Sequence, residues 1–361
     1  MPEVRLRGVS KRYGKVVAVD SIDLTIEDGE YITILGPSGC GKTTLIRMIA
    51  GIIEPSAGEV FIGGKDMNGV LIEDRDIGYV FQNIALFPNM SVEGNVRYGP
   101  RAQGKEMEEQ KRVAQEMVSL VHLLDKMAMF PSALCGGEQQ KASLARVLAS
   151  GSRLLLLDEP LSALDARVRV DLRYELRRLA KALGITVVHV THDQEEAMSV
   201  SDRIVLMRAG SVVEVGSPEK LYTHPERIFS ANFIGETNLI EGWVKEKVEG
   251  ASLIELRGGV DVRVADCPFG KGEAVVVSIR PEFVFPFTSG LKAKIIRVTY
   301  MGSYWRAAAV TESEDEVEFD IPIQEGSMYG VGQEVNLMIN RKAAVVFPRP
   351  REGIMEAVRL E

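Results

Sequence analysis

The stretch Tyr31-Ile32-Thr33-Ile34-Leu35-Gly36-Pro37-Ser38-Gly39-Cys40-Gly41-Lys42-Thr43-Thr44 decides the fold of this 361-residue chain. Its first five residues read as a strand buried on both faces. The next eight satisfy G-x-x-x-x-G-K-[ST], and Thr44 to Gly51 reads as a helix. A strand feeding a glycine-rich turn and then a helix is the setting in which this spacing cradles phosphate. The glycines let the backbone wrap closely, so that successive N–H groups point at phosphate oxygens, and the helix N-terminus adds its dipole. Lys42 is placed to neutralise β- and γ-phosphates, and the Thr43 hydroxyl to reach Mg²⁺. These residues predict a nucleoside triphosphate site.

Working outward, short apolar runs alternate with helical patterns up to about residue 235, as in an α/β domain. Leu154–Leu157, Thr186–Val190 and Arg203–Met207 read as further strands, Val113–Leu124 and Val168–Leu183 as helices. The second of these carries Arg167, Arg169, Arg173, Arg177, Arg178 and Lys181, read as a solvated face. From Asn238 the texture changes to short strand-like runs with turns such as Gly258-Gly259, which suggests a small β-barrel or sandwich. The expected domains are 1–235 and 236–361.

Composition bounds the partners. Apolar residues make up 45% and charged residues 26%, an ordinary globular balance able to bury a core. A formal net charge of −8 gives no support to nucleic-acid binding. No apolar stretch reaches the roughly 18–20 residues of a membrane helix, and Met-Pro-Glu-Val-Arg-Leu lacks a secretory apolar region. Three dispersed cysteines (Cys40, Cys135, Cys267) do not form a disulfide framework. A cytosolic chain is expected, which another chain must anchor if it works at a membrane.

A second chemical element follows the leucine strand. Asp158 at its end is placed near Mg²⁺, and Glu159 is placed to polarise a water. Among the histidines, His189 reads as core, while His122 and His224 read as surface residues without a nameable partner.

With the residues between and after them, these elements resemble an ATP-binding-cassette (ABC) ATPase over residues 3–235. Leu134-Cys135-Gly136-Gly137-Glu138-Gln139-Gln140-Lys141 looks like the family's signature motif. Gln82 matches its Q-loop, Ser162-Ala163-Leu164-Asp165 its D-loop, His192 its switch histidine, and Tyr13 its adenine-stacking ring. The resemblance implies a P-loop NTPase with a core sheet and a helical subdomain. It also implies two cassettes paired head to tail around two ATP molecules. Residues 36–44 of one copy and Cys135, Gly136, Gly137 and Asp165 of the other would then hold each nucleotide. By the same resemblance Glu159 is the general base, His192 holds the γ-phosphate and water geometry, and Thr43, Gln82 and Asp158 surround Mg²⁺.

One departure concerns position 135, where the family usually has Ser. A thiol is a weaker donor and a poorer helix cap, so either the backbone N–H groups dominate and the thiol is tolerated, or Cys135 slackens the closed state and lowers turnover. Cys40 and Cys135 would approach one nucleotide near helix N-termini, where thiolate is favoured.

The tail, with Gly216-Ser217-Pro218, Asn232-Phe233-Ile234-Gly235, Ser278-Ile279-Arg280-Pro281-Glu282 and Val298-Thr299-Tyr300-Met301-Gly302, resembles importer ATPases carrying an OB-like TOBE domain. Such a subunit acts at the cytoplasmic face of the membrane with two permease subunits and an extracytoplasmic solute-binding protein. Ile234-Gly235-Glu236-Thr237-Asn238 looks most like polyamine importers, followed by iron(III), then sulfate, molybdate or tungstate, and last sugar. The alternative is a soluble ABC ATPase of the translation or DNA-repair type. Against it stand the lack of a tandem cassette, a coiled-coil insertion or a basic face.

Overall fold

Leu154-Leu155-Leu156-Leu157 is apolar on both sides, and the fold covers both. All four are at most 2% exposed. Leu155 and Leu157 join one hydrophobic core, Leu154 and Leu156 the other, as the two-residue alternation of a strand requires. Each buried leucine contributes about 1.5–3 kcal/mol of transfer free energy. The computed structural model describes residues 3–360 other than Asn83, Ala163 and Gly258. Ala163 of the Ser162–Asp165 stretch and Gly258 of the Gly-Gly turn therefore lie outside the described residues.

The chain forms two compact units that divide at Pro218. The first holds strands β1 (Val4–Tyr13), β2 (Val16–Ile26), β3 (Tyr31–Leu35), β4 (Ala57–Ile62), β5 (Lys65–Asp66), β6 (Ile77–Val80), β7 (Leu154–Asp158), β8 (Thr186–Thr191), β9 (Arg203–Arg208) and β10 (Ser211–Gly216). Its helices are α1 (Lys42–Ala50), α2 (Val92–Ala102), α3 (Met107–Leu120), α4 (Gly136–Ala149), α5 (Ala166–Leu183) and α6 (Gln194–Val200). The main sheet runs β10-β9-β3-β8-β7-β6. It is parallel from β9 to β6, with β10 antiparallel at the edge. Parallel order brings the C-terminal ends of β3, β7 and β8 together, where open α/β sheets place their ligands. A second, antiparallel sheet runs β2-β1-β4-β5.

Helices α2, α3 and α4 pack on one another as the helical part of this unit. α3 ends at Leu120, short of the expected Leu124, because the backbone turns left-handed at His122 (φ 56°). Val121 and Leu123 are still buried, from the turn rather than from a helix.

The C-terminus of α1 is held by a buried cation. Arg75, 5% exposed, donates to Met48 O (3.2 Å) and Ile49 O (2.9 Å) from Nη1, to Met67 O (2.6 Å) from Nη2 and to Val70 O (3.1 Å) from Nε. Last-turn carbonyls, which have no partner within the helix, are satisfied by a positive charge at the negative end of the dipole. Gly51 has φ 79°, and a Cβ there would sit 2.4 Å from Arg75 Nε. Only glycine leaves the guanidinium its room.

The second unit begins with α7 (Pro218–Thr223) and α8 (Ile228–Phe233). Ten strands follow: β11 (Asn238–Val248), β12 (Ala251–Leu256), β13 (Asp261–Ala265), β14 (Ala274–Ile279), β15 (Val284–Phe287), β16 (Leu291–Tyr300), β17 (Tyr304–Thr311), β18 (Glu316–Pro322), β19 (Glu334–Ile339) and β20 (Val345–Pro348). They make two five-stranded sheets, β13-β12-β11-β14-β20 and β15-β19-β16-β17-β18, around one shared core. Asn238 stitches the sheets together: its Nδ2 donates to Glu318 O (2.8 Å) and its Oδ1 accepts from Glu318 N (2.7 Å).

The units divide earlier than the expected boundary at residue 235, and Arg280 supplies the reason. Its guanidinium, 4% exposed, donates to Tyr222 O, Ala231 O, Gly235 O and Glu236 O at 2.7–3.1 Å. It also lies 4.4 Å from the Tyr222 ring centroid. Residues 222–236 are thereby fastened to the β-unit. Among the described residues no helix is long and apolar enough to cross a membrane.

Candidate nucleotide site

At the C-terminal end of β3 the chain turns through Gly36–Gly41 and enters α1 at Lys42. Two glycines are dictated by close approach. A Cβ on Gly36 would meet Met207 O at 2.3 Å, and one on Gly41, at φ 102°, would meet Ala18 O at 2.3 Å. Pro37 is half-buried, while Ser38 and Gly39 are exposed at the tip. Lys42 is 5% exposed, and its ammonium donates to Gly36 O and Pro37 O, both at 2.8 Å. No carboxylate pairs with it among the described residues. A buried cation met by two carbonyls and, at 4.0 Å, the Cys40 sulfur, with no carboxylate beside it, is a fit for an anionic ligand.

Beside the loop, Asp158 at the end of β7 is 2% exposed. It accepts from Thr43 Oγ1 (3.2 Å) and Tyr79 OH (3.0 Å), with Arg47 Nη2 3.8 Å away. Burial, with the Asp158 carboxylate second, pushes the Tyr79 phenol well above its ordinary range. Tyr79 therefore stays a donor. A hydroxyl and one carboxylate are hard oxygen donors of the kind that serve a small cation otherwise ligated by phosphate and water.

Glu159 follows in left-handed backbone (φ 48°), its N–H donating to Val190 O at 2.9 Å. Its carboxylate accepts from Gln82 Nε2 at 3.0 Å, and His192 Nδ1 lies 3.4 Å from the other oxygen. The structure thus joins Gln82 to Glu159, and not to Asp158 with which the cation expectation grouped it. Thr44 continues the first turn of α1.

Cys135, Gly136, Gly137 and Asp165 form a second group at the starts of α4 and α5. Glu138 reaches back to accept from Cys135 N–H at 2.9 Å, and this bond above all holds its carboxyl below the usual carboxylate range. Such a reciprocal cap fixes the helix start. A Cβ on Gly137 would lie 2.6 Å from Val168 Cγ1, so α4 and α5 meet over a bare backbone. Asp165 caps α5 by accepting from Val168 N at 3.0 Å. Tyr13 stands half-exposed at the end of β1, with Lys11 Nζ 5.3 Å from its ring centroid.

Several sequence expectations change. Cys40 is buried, and burial, opposed by Lys42, pushes its thiol up rather than toward thiolate. Cys267 is also buried, whereas Cys135 is exposed. Brief maleimide treatment of the folded chain is therefore expected to label Cys135 alone, with Cys40 and Cys267 reacting only after denaturation. Peptide mass spectrometry checks this, and labelling of Cys40 in the native chain would overturn it. The basic face of α5 is not simply solvated: Arg173 is 5% exposed, and with Arg169 it faces Asp193. His122 has Glu175 at 3.7 Å, and His224 bonds Thr223. Tyr79 and Arg47, which shape Asp158, carry no sequence signal of their own, since only the parallel register of β6 on β7 brings Tyr79 there.

Residues 19–162 match the family model described as ABC transporter. The chain is 45% identical over 308 residues to the spermidine/putrescine import ATP-binding protein PotA of Rubrobacter xylanophilus, covering 83% of this chain and 81% of that one. It is 37% identical over 336 residues to the Fe(3+) ions import ATP-binding protein FbpC of Agrobacterium fabrum, covering 92% and 91%. This chain belongs to the ABC transporter family. A dimeric post-hydrolysis structure of the ATP-binding cassette MJ0796, bound to ADP and Pi, superposes with a TM-score of 0.54 at 31% identity, covering 60% of this chain and 98% of that one. The ABC chain described here is the ATP-hydrolysing subunit of an import system, and it binds ATP.

Proposed function

We propose that two copies of this chain close head to tail around two Mg-ATP molecules at the cytoplasmic face of the membrane, beneath two permease subunits served by an extracytoplasmic solute-binding protein. The observation that carries the reading is the division of the site residues into two groups. The phosphate loop, Asp158, Glu159, Gln82 and His192 are linked to one another, whereas Cys135–Gly137 and Asp165 sit at separate helix starts. A second copy supplies the missing half, and the start of α4 offers its N–H groups and dipole to a γ-phosphate.

In this reading Lys42 exchanges its carbonyl partners for phosphate oxygens. Thr43 and Asp158 would hold the cation, and Gln82 would reach it only by leaving Glu159. The cation, when bound, would supply positive charge against the phosphates. Glu159 takes a proton from the attacking water, and Gln82 and His192 fix its carboxylate. Tyr13 stacks on the adenine. Loss of the γ-phosphate removes what joins the copies, so turnover opens the pair. The β-unit from Glu219 is a TOBE-type module that steadies the dimer, and Arg280 explains why its Arg-Pro-Glu stretch is built as it is.

The proposed solute is a polyamine, spermidine or putrescine, ahead of iron(III), then sulfate, molybdate or tungstate, and sugar. The names of the relatives, spermidine/putrescine and Fe(3+) import proteins, support the first two of these and not a translation or DNA-repair role. In proteoliposomes holding the whole transporter, ATP hydrolysis is expected to rise when the binding protein carries spermidine or putrescine. A rise with ferric iron, an oxyanion or maltose instead, or no rise with a polyamine, would overturn the assignment.

A further inference from the structure

The strand that delivers His192 carries another histidine three residues earlier, which no reading of the site uses. His189 is completely buried, and Tyr31, Thr191 and Glu196 around it are at most 3% exposed. Tyr31 OH lies 3.0 Å from His189 Nδ1, and His189 Nε2 lies 3.3 Å from Glu196 Oε1. Among the described residues neither His189 Nε2 nor Glu196 Oε1 makes a hydrogen bond, so each buried atom has only the other facing it at 3.3 Å. Buried polar atoms with a single available neighbour are costly to leave unpaired, so the neighbour sets their position.

Glu196 in turn closes the segment on either side of His192. Its Oε2 accepts from Thr191 Oγ1 at 2.6 Å, and that same hydroxyl oxygen accepts from Asp193 N at 3.0 Å. Asp193 Oδ1 accepts from Glu196 N at 3.0 Å. Arg169 and Arg173 of α5 face Asp193 Oδ2 at 3.3 and 3.7 Å, and Arg173 also has Glu195 at 4.0 Å, so the two arginines meet the carboxylates of Asp193, Glu195 and Glu196 around this turn. Although burial alone would raise it, His189 and Thr191 with Arg173 hold the Glu196 carboxyl below its ordinary range. With Tyr31 OH bonded to Nδ1, the other ring nitrogen, Nε2, is the one left to face Glu196 Oε1 across 3.3 Å.

The geometry points to His189 as a positioning residue for hydrolysis: with Tyr31 it sets Glu196, and Glu196 sets the Thr191–Asp193 turn that aims His192 at Glu159. This rests on the reading of Glu159 and His192 given above. It also links the start of β3, the strand that feeds the phosphate loop, to the turn on the far side of the site.

The test is steady-state ATPase and ATP affinity of the full-length chain carrying His189→Leu, His189→Gln or Tyr31→Phe, with Glu159→Gln as control. A glutamine amide can donate from near the Nε2 position, whereas leucine cannot. His189→Leu is expected to lower kcat about 10-fold, as losses of supporting partners do, with ATP Kd changed by less than about 2-fold. His189→Gln recovers most of that loss, and Tyr31→Phe falls between. Three outcomes would overturn the positioning role: His189→Leu with full kcat, leucine and glutamine variants equally impaired, or ATP affinity falling in step with kcat. Hydrolysis that survives in Glu159→Gln would instead sink the reading of the site itself.

Discussion

Glu159→Gln is expected to lower ATP hydrolysis by about 10²–10⁴-fold, the usual contribution of a general base, while ATP still binds. Glutamine keeps the size of the side chain and can still accept from Gln82 Nε2 through its carbonyl oxygen, but it cannot take a proton from water. The phosphate contacts of Lys42 and Thr43 are untouched by the change. Binding without hydrolysis then holds the two copies together, and the variant is expected to accumulate as an ATP-bound dimer. Single-turnover assays and light scattering in saturating Mg-ATP check the two halves separately. A monomeric, inactive variant would spare the base and remove the shared nucleotide. An active variant would remove the base.

The second large effect is on stability. Arg75→Met should destabilise the cassette by about 1–3 kcal/mol, the cost of leaving buried acceptors without a donor. Methionine preserves much of the apolar stem but takes the guanidinium from the carbonyls of Met48, Ile49, Met67 and Val70, of which Met48 O and Met67 O keep a backbone donor, Gly51 N and Val70 N at 3.1 Å. Two of the four carbonyls belong to the last turn of α1, whose first residues are Lys42 and Thr43. Nucleotide binding is therefore expected to weaken alongside the fall in denaturant midpoint, and saturating ATP to restore part of it by mass action. An unchanged midpoint would show that water satisfies those carbonyls.

What could be read from the sequence was local chemistry. Residues 31–44 specify a strand, a turn and a helix within fourteen positions, and four leucines followed by two acids specify a buried strand with its functional end. The antiparallel sheet of β1, β2 and β4 escaped because its strands carry polar residues such as Arg5, Arg7 and Asp23 between the apolar ones, and because β4 joins β1 across a long separation, Val4 pairing with Ile62 and Ser10 with Ala57. The thiol of Cys40 was misjudged for a related reason. A position beside a helix N-terminus is visible in one dimension, but the burial that outweighs the dipole is not. Arg173 looked like one cation in a basic row until α6 was packed against α5. The end of the first unit was placed at a glycine, although the bonds that decide it come from Arg280, far along the chain.

The left-handed backbone at Glu159 has an evolutionary and practical corollary. An L-residue pays about 1 kcal/mol for that conformation, which glycine adopts freely. Selection for heat tolerance alone would favour glycine or asparagine there, and the hardiest clones of such a screen would be dead pumps. Directed evolution of this chain should therefore fix position 159 beforehand, and a family member carrying glycine at this place should be suspected of having given up transport for another task.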